Sequence, residues 1–430
     1  MLVAIRRGLV LAALVVTGVR PLQAQDTDTT EVARLKAQVD AILRELETMR
    51  LGADVVALAD TGIYGFGPAA SKVYKGRPGV SIGGYGEFHY ENFASNRQDD
   101  VPAGLGDRID ALRAIVYVGY KFSDRVLFNS EIEFEHGSTE NGGSVSVEFA
   151  YLEGRLSPAF GVRGGLLLAP MGFLNEIHEP PTFLGTTRPE TERRIIPSTW
   201  REVGAGVFGT RGDLNYRAYI INGFDAGGFG ASGIRDGRQN GAEAKGINFA
   251  LVGRVDWTGV PGLTVGTSAY VGRSGQGATL PSDPTASIGA RTTIWEAHAE
   301  YKARGFDLRG LVAQTRVSDA AEVNELNGLA ADASVGERLT GWYVQGGYDV
   351  LRRLGTTQQL LPYLRFEKLN TQDAVPDGFT ANPANDRTIV SLGLAWKPLL
   401  NVALKADYQI HRNEANTGVN QFNLNLGYLF

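Results

Sequence analysis

From Gly79 to the C-terminus, apolar and polar residues alternate with a period of two. Phe422, Leu424, Leu426, Tyr428 and Phe430 alternate with Gln421, Asn423, Asn425 and Gly427. Val402, Leu404, Ala406, Tyr408 and Ile410 alternate with Ala403, Lys405, Asp407, Gln409 and His411. Val80, Ile82, Gly84, Gly86, Phe88 and Tyr90 alternate with Ser81, Tyr85, Glu87, His89 and Glu91. This period predicts strands with one apolar and one polar face. About sixteen segments carry it, near 79–94, 106–122, 125–136, 143–157, 159–169, 199–209, 213–224, 246–258, 262–274, 290–303, 305–318, 338–352, 358–370, 386–397, 400–413 and 419–430. Most are longer than the ~5–6 residues of a usual globular strand.

The connections sharpen the expectation. Short turns (Ser123-Asp124, Ser157-Pro158, Thr258 to Gly262, Arg304) alternate with long polar loops at 95–105, 170–198, 225–245, 275–289, 319–337 and 371–385. An even number of antiparallel strands, turned tightly at one end and loosely at the other, is the pattern of outer-membrane barrels. The expected fold is therefore all-β, a transmembrane antiparallel β-barrel of about 16 strands over 79–430, with both its ends on the periplasmic side. Alternation by itself does not say which face is buried. A soluble sandwich hides its apolar face, whereas a membrane barrel turns that face to lipid and lines its lumen with the polar one. Strand length and loop alternation select the membrane. Tyr120, Phe122, Trp257, Trp342, Tyr348, Trp396, Tyr428 and Phe430 fall mostly near strand ends, where interfacial aromatic girdles are expected.

Upstream of the strands the pattern differs. Met1 to Ala24 has Arg6 and Arg7 ahead of an apolar run from Gly8 to Val19, which is too short to span a bilayer and reads as a secretory signal peptide over 1–24. Over 25–51, Val32, Leu35, Val39, Ile42, Leu46 and Met49 are spaced 3, 4, 3, 4, 3, the seam of a short periplasmic coiled-coil helix. Valine at the first two a positions does not favour a dimer, so a trimeric bundle is expected, held in register by a larger trimer; a helix packed on its own protein is the alternative. Residues 52–78 read as a linker.

One stretch follows neither period. Pro170 to Arg201 carries Pro170, Pro180, Pro181, Pro189 and Pro197, so no long helix or strand can run through it. It also holds Met171, Phe173, Leu174, Ile177, Phe183, Leu184, Ile195, Ile196 and Trp200, which is not the composition of a disordered loop. Structureless loops of this length are usually functional or disordered. Its charges make a candidate pore constriction, with Arg188, Arg193, Arg194 and Arg201 on a cationic side and Glu176, Glu179, Glu190 and Glu192 on an acidic side, together with His178. Facing rows of opposite charge would orient polar solutes; the plainer reading is that the charges pair and pin the loop to the wall. The apolar residues read as anchors. Candidate lumen-wall residues, by inward parity, are Glu87, Glu91, Arg113, Glu131, Glu133, Arg163, Arg217 and Arg254. That wall is mixed in sign, without a one-signed ladder.

The remaining chemistry is sparse. The chain has no cysteine, which excludes disulfides and thiolate metal sites, and its net charge of -5 does not predict nucleic-acid binding. Glu87, His89 and Glu91 share a strand face and could ligate a divalent cation, but a polar wall is the simpler reading, so no metal and no cofactor are assigned. No nucleophile, base and orienting group occur in a recognisable set, and an enzyme is not expected.

GFGPAASKVY (65–74), SIGGYGEFHYE (81–91), GLLLAPMGFLNEIHEPPTF (165–183) and RPETERRIIPSTWREVGAGVFG (188–209) together resemble the phosphate-selective porin O and P superfamily of bacterial outer-membrane porins. The resemblance implies a sixteen-stranded trimeric barrel whose third extracellular loop, here 170–201, folds into the lumen. The mixed lumen gives no ground for carrying over phosphate. The expected function is passive diffusion of small hydrophilic solutes or ions across the bacterial outer membrane, after export through the inner membrane. Its partners are then outer-membrane lipid, two further copies of the chain and the solutes. The alternatives are a gated outer-membrane transporter of hydrophobic compounds, which needs an N-terminal plug and an apolar path, and a structural or adhesive barrel tethered by its coiled coil.

Overall fold

The computed structural model describes residues 63–430, apart from Asn141. The expected signal peptide, the coiled-coil helix and residues 52–62 of the expected linker lie outside that range. Sixteen strands follow in chain order: β1 (Gly79–Phe93), β2 (Arg108–Lys121), β3 (Val126–Glu135), β4 (Ser144–Ser157), β5 (Phe160–Leu168), β6 (Arg201–Arg211), β7 (Leu214–Asn222), β8 (Phe249–Val260), β9 (Leu263–Arg273), β10 (Arg291–Ala303), β11 (Phe306–Val317), β12 (Arg338–Tyr348), β13 (Gln359–Ala374), β14 (Asp386–Leu399), β15 (Val402–Asn413) and β16 (Gln421–Leu429). Each is antiparallel to its sequence neighbours, and β1 pairs with β16, so the sheet closes into a barrel. Closure leaves no free edge, the condition for a sheet to sit in hydrocarbon.

The two faces sort as the alternation implies. On β15, Ala403, Lys405, Asp407 and Gln409 point inward and are buried, while Leu404 and Tyr408 are exposed. On β1, Tyr85, Glu87 and His89 are buried, while Val80 and Ile82 are 68% and 60% exposed. A barrel that shows water its valines and buries its carboxylates is inverted relative to a soluble protein, and its outer face fits lipid. Aromatic pairs mark the short-turn end, with Tyr120 and Phe122 rings 4.8 Å apart and Phe306 and Tyr348 rings 4.9 Å apart.

Two boundaries differ from the expectation by four residues, the end of β12 and the end of β13, which runs to Ala374 rather than near 370. β12 ends at Tyr348 rather than near 352, because Asp349 Oδ1 accepts from Leu351 N (3.1 Å) and Leu360 N (3.0 Å) and folds the chain into a turn.

The lumen is largely filled. Residues 169–200, joining β5 to β6, run inside the barrel through a 3-10 turn at Pro180–Thr182 and a short helix at Glu190–Arg194. The turn lies against β1, β15 and β16, and the helix against β12 and β13. The described part of the expected linker is also inside. Phe66, Ala69, Ala70, Val73 and Tyr74 are all buried, and a one-turn helix at Lys72–Lys75 rests on β1 and β2. These residues recur at i, i+3, i+4, i+7 and i+8, the spacing of an apolar helix face, although only Lys72–Lys75 is helical. At the long-loop end, the loop joining β7 to β8 is tied to the inward loop and to β13: Arg238 donates to the carbonyls of Pro197 and Thr199, and Thr371 Oγ1 donates to the Ala231 carbonyl.

Candidate solute pathway

The inward loop follows a track cut for it in the wall. A Cβ on Gly427 would lie 2.3 Å from Pro180 Cβ, and one on Gly341 would lie 2.9 Å from Ile195. Those two glycines let backbone meet loop at a distance no side chain allows. Met171, Ile195, Ile196 and Trp200 are buried and join the apolar cluster, as anchors do, and Leu174 is buried as well. Trp200 stacks on Phe224, with ring centroids 4.6 Å apart.

Several charges expected at a constriction act instead as pins. Glu192 is fully buried; its Oε2 accepts from Leu174 N (2.7 Å) and its Oε1 from Tyr343 OH (2.6 Å). Glu179 accepts from Ala69 N (3.0 Å) and Ala70 N (3.1 Å). His178 Nδ1 donates to the Asn175 carbonyl (3.2 Å) and its Nε2 lies 3.3 Å from Glu131 Oε1. Arg201 pairs with Glu148 at 2.6 Å. A buried carboxylate needs donors wherever it is placed, and loop backbone supplies them. His178, Glu179, Glu192 and Arg201 therefore lie outside the two cavities described next.

One cavity, of about 710 Å³, opens at the long-loop end. Arg188, Glu190, Arg193 and Arg194 of the loop line it, as do Glu87, Glu91, Arg113 and Glu133 of the wall. The other, of about 350 Å³, lies towards the short turns and is lined by Glu176, Arg217 and Arg254 among others. There Arg217 pairs with Glu176 (3.0 Å) and Asp256 (3.1 Å), and Arg254 with Asp256 (2.8 Å). Between them lies the loop stretch 182–187: Thr182 faces the smaller cavity, and Phe183, Thr186 and Thr187 face the larger. Cations and one acid hold this stretch. Arg309 donates to the Thr182 carbonyl (2.6 Å), Lys405 to that of Gly185 (3.0 Å) and Arg365 to that of Thr187 (3.2 Å). Asp407 Oδ2 accepts from Thr186 N (3.1 Å), Thr186 Oγ1 (2.8 Å) and Tyr363 OH (2.6 Å).

The larger cavity is positive on one side. Glu190 binds Arg193 (3.1 Å) and Arg194 (2.5 Å) and lies 4.0 Å from Arg387, so one carboxylate faces three guanidiniums. Burial raises its pKa, but Arg194 and Arg193 outweigh that and hold it down to about 2. Arg188 donates to Thr199 Oγ1 (2.9 Å), while its Nη2 and the Nη1 of Arg235 find no hydrogen-bond partner among the described residues. Burial, then Arg238, Arg193 and Arg188, push Arg235 down to about 9, so it remains charged at neutral pH among like charges. The acidic side comes from β1 and β3, where Arg113 bridges Glu87 (3.1 Å) and Glu133 (3.5 Å).

Two wall candidates serve the filling rather than a path. Arg163 is buried, bound to Glu153 (2.7 Å) and stacked over Phe66 (4.7 Å). Glu131 is fully buried beside His178. Arg235 and Arg387 line the larger cavity and were not among the candidates. Arg235 lies in a loop where strand parity has no meaning; Arg387 is the second residue of β14, where parity does point it inward.

No protein-family model matches the chain. An uncharacterized protein of Aquifex aeolicus (strain VF5) is 42% identical over 355 residues, covering 80% of this chain and 78% of that protein. Among solved structures, the outer membrane channel DcaP of Acinetobacter baumannii superposes with a TM-score of 0.52 at 13% identity, over 82% of this chain and 97% of that one. A loop L8 deletion mutant of OmpT, an outer membrane protein of Vibrio cholerae, gives 0.51 at 14%, over 82% and 99%. OmpF of Salmonella typhi, solved with daunomycin, gives 0.50 at 13%, over 82% and 97%. At such identities the likeness carries the fold alone.

Proposed function

Because this chain belongs to the family of the uncharacterized Aquifex aeolicus protein and has the sixteen-stranded fold of outer-membrane channels, we propose that it is a passive outer-membrane porin. Small hydrophilic solutes and ions enter at the long-loop end, pass the loop stretch 182–187 and leave by the short-turn end into the periplasm. The observation that carries this reading is the pair of charge-lined cavities on either side of that stretch. The arginine side of the outer cavity raises the local concentration of anions and orients zwitterions against the carboxylates of β1 and β3. The motifs at 81–91 and 165–209 support a place in the porin O and P superfamily; the carboxylates at the mouth argue against phosphate as the dedicated solute. A trimer, registered by the 25–51 helix, completes the proposal.

The gated-transporter reading keeps one supporting observation, the N-terminal segment inside the lumen. The charged walls of both cavities weigh against an apolar path. Planar-bilayer conductance of the purified protein under a salt gradient tests the choice. Steady ohmic current with a reversal potential on the anion side supports the porin. Absence of current from folded protein would overturn it.

A further inference from the structure

Residues 63–76 are folded inside the barrel, yet a porin needs nothing there. Their backbone hydrogen bonds close on themselves: Ile63 with Phe66, Ser71 N to Gly67 O, Tyr74 N to Ser71 O and Gly76 N to Lys72 O. The segment therefore rests on the barrel as a unit, without entering the strand ladder. Its side chains and carbonyls are caught by β2 to β5. Asn129 donates to the Ala70 carbonyl (3.0 Å) and Lys121 to that of Gly76 (2.9 Å). Tyr74 OH donates to Glu153 Oε2 (2.7 Å), and Phe66 stacks on Tyr151 with centroids 5.3 Å apart.

On its other side the segment meets the inward loop. The Glu179 carboxylate accepts from two successive backbone amides, Ala69 N and Ala70 N. Gly67 makes that approach possible, since a Cβ there would lie 2.7 Å from the carboxylate. The cavity that remains at the short-turn end lies beside this filling, bordered by Tyr64, Phe173, Arg217 and Arg254.

We propose that residues 63–76 are a plug filling the β2–β5 side of the lumen, and that Glu179 is the latch tying it to the constricting loop. The plug confines solute to the remaining side of the short-turn half, and its release widens the path. The conductance half of this idea rests on the porin reading above; the latch half does not.

The absence of native cysteine makes the test clean. Val73 is 2% exposed beside Gly119 of β2, so Val73→Cys should react slowly with a charged methanethiosulfonate. Adding Glu179→Ala removes the acceptor of two backbone amides. Labelling should then speed up by about tenfold (~1.4 kcal/mol), and single-channel conductance should rise above that of the parent. Gly67→Val, which crowds the same carboxylate from the plug side, should do the same if Glu179→Ala fails to fold. Unchanged labelling in the folded variant overturns the latch. Faster labelling with unchanged conductance overturns the plug as the limit on the path. No current from parent or variant, with labelling still accelerated, leaves the latch standing and removes the porin reading.

Discussion

Asp407 offers the sharpest handle on the stretch between the two cavities. It lies on β15, 2% exposed, and accepts two bonds from Thr186 at 3.1 and 2.8 Å. A typical hydrogen bond contributes a net ~0.5–1.5 kcal/mol, and one to a charged group ~1.5–3 kcal/mol. Its partner Thr186 lines the larger cavity, where water can take over part of what Asp407 supplies, so the lower figure is used for the two bonds and Asp407→Ala should cost the docked loop ~1–3 kcal/mol. That is roughly ten- to a hundredfold in the ratio of docked to loosened loop. Release should be partial, because Lys405 still holds Gly185, Arg365 holds Thr187 and Arg309 holds Thr182. The variant also strips Tyr363 OH and Asn423 Nδ2 of an acceptor, which adds to the loosening. The assay is single-channel recording of parent, Asp407→Ala and Asp407→Asn. Asp407→Ala should give higher mean conductance with more open-channel noise, and Asp407→Asn, which keeps one acceptor oxygen, a smaller change. Conductance and noise identical across the three proteins would refute the assignment of 182–187 as the constriction.

Three further outcomes are expected. Arg193→Ala with Arg194→Ala removes two charges from the mouth; at ~8 Å in water each acts on a monovalent ion by ~0.5 kcal/mol, roughly halved by screening at ~0.1 M salt, so the cation-to-anion permeability ratio should rise about fivefold. A reversal potential that stays put would remove the arginines from the path. Gly427→Val drives a side chain into Pro180, at a cost of ~1–3 kcal/mol in loop docking; a lower temperature for the heat-induced shift in gel mobility reports it, and an unchanged shift would mean the track is not required. His178 is pulled down to about 3 by burial, then by Arg188 and Arg113, so it stays neutral when docked while the freed loop protonates near 6.5. Docking is therefore favoured above that pH and weakens as pH falls towards 3, by ~1.4 kcal/mol in total between pH 7.5 and 5.5. The melting temperature of the parent should drop from pH 7.5 to 5.5 more than that of His178→Gln, and equal drops would show that another group is responsible.

The wall and its filling were legible to different degrees. All sixteen strands fall where the period of two places them, because each inward residue is followed by one that meets lipid, and that demand repeats along every strand. Pro170 to Arg201 stood out for the opposite reason, as apolar residues without a period between prolines. The charges inside it were not separable. Glu190 and Glu192 lie two residues apart in a one-turn helix, yet one faces three guanidiniums at the mouth and the other is sealed under Tyr343. Residues 63–76 fall in the expected linker, although Phe66, Ala69, Ala70, Val73 and Tyr74 have the spacing of a helical stripe. Five positions bounded by glycines are too short a run to outweigh the turn residues around them.

Alternation, strand number and the order of turns and loops thus determine the closed barrel and the inward side of each strand, since these depend on neighbours along the chain and across one ladder. What fills the barrel was decided by tertiary structure. Whether Glu179 lines a pore or binds Ala69 and Ala70 depends on two segments more than a hundred residues apart meeting in one lumen, and no local period encodes that meeting.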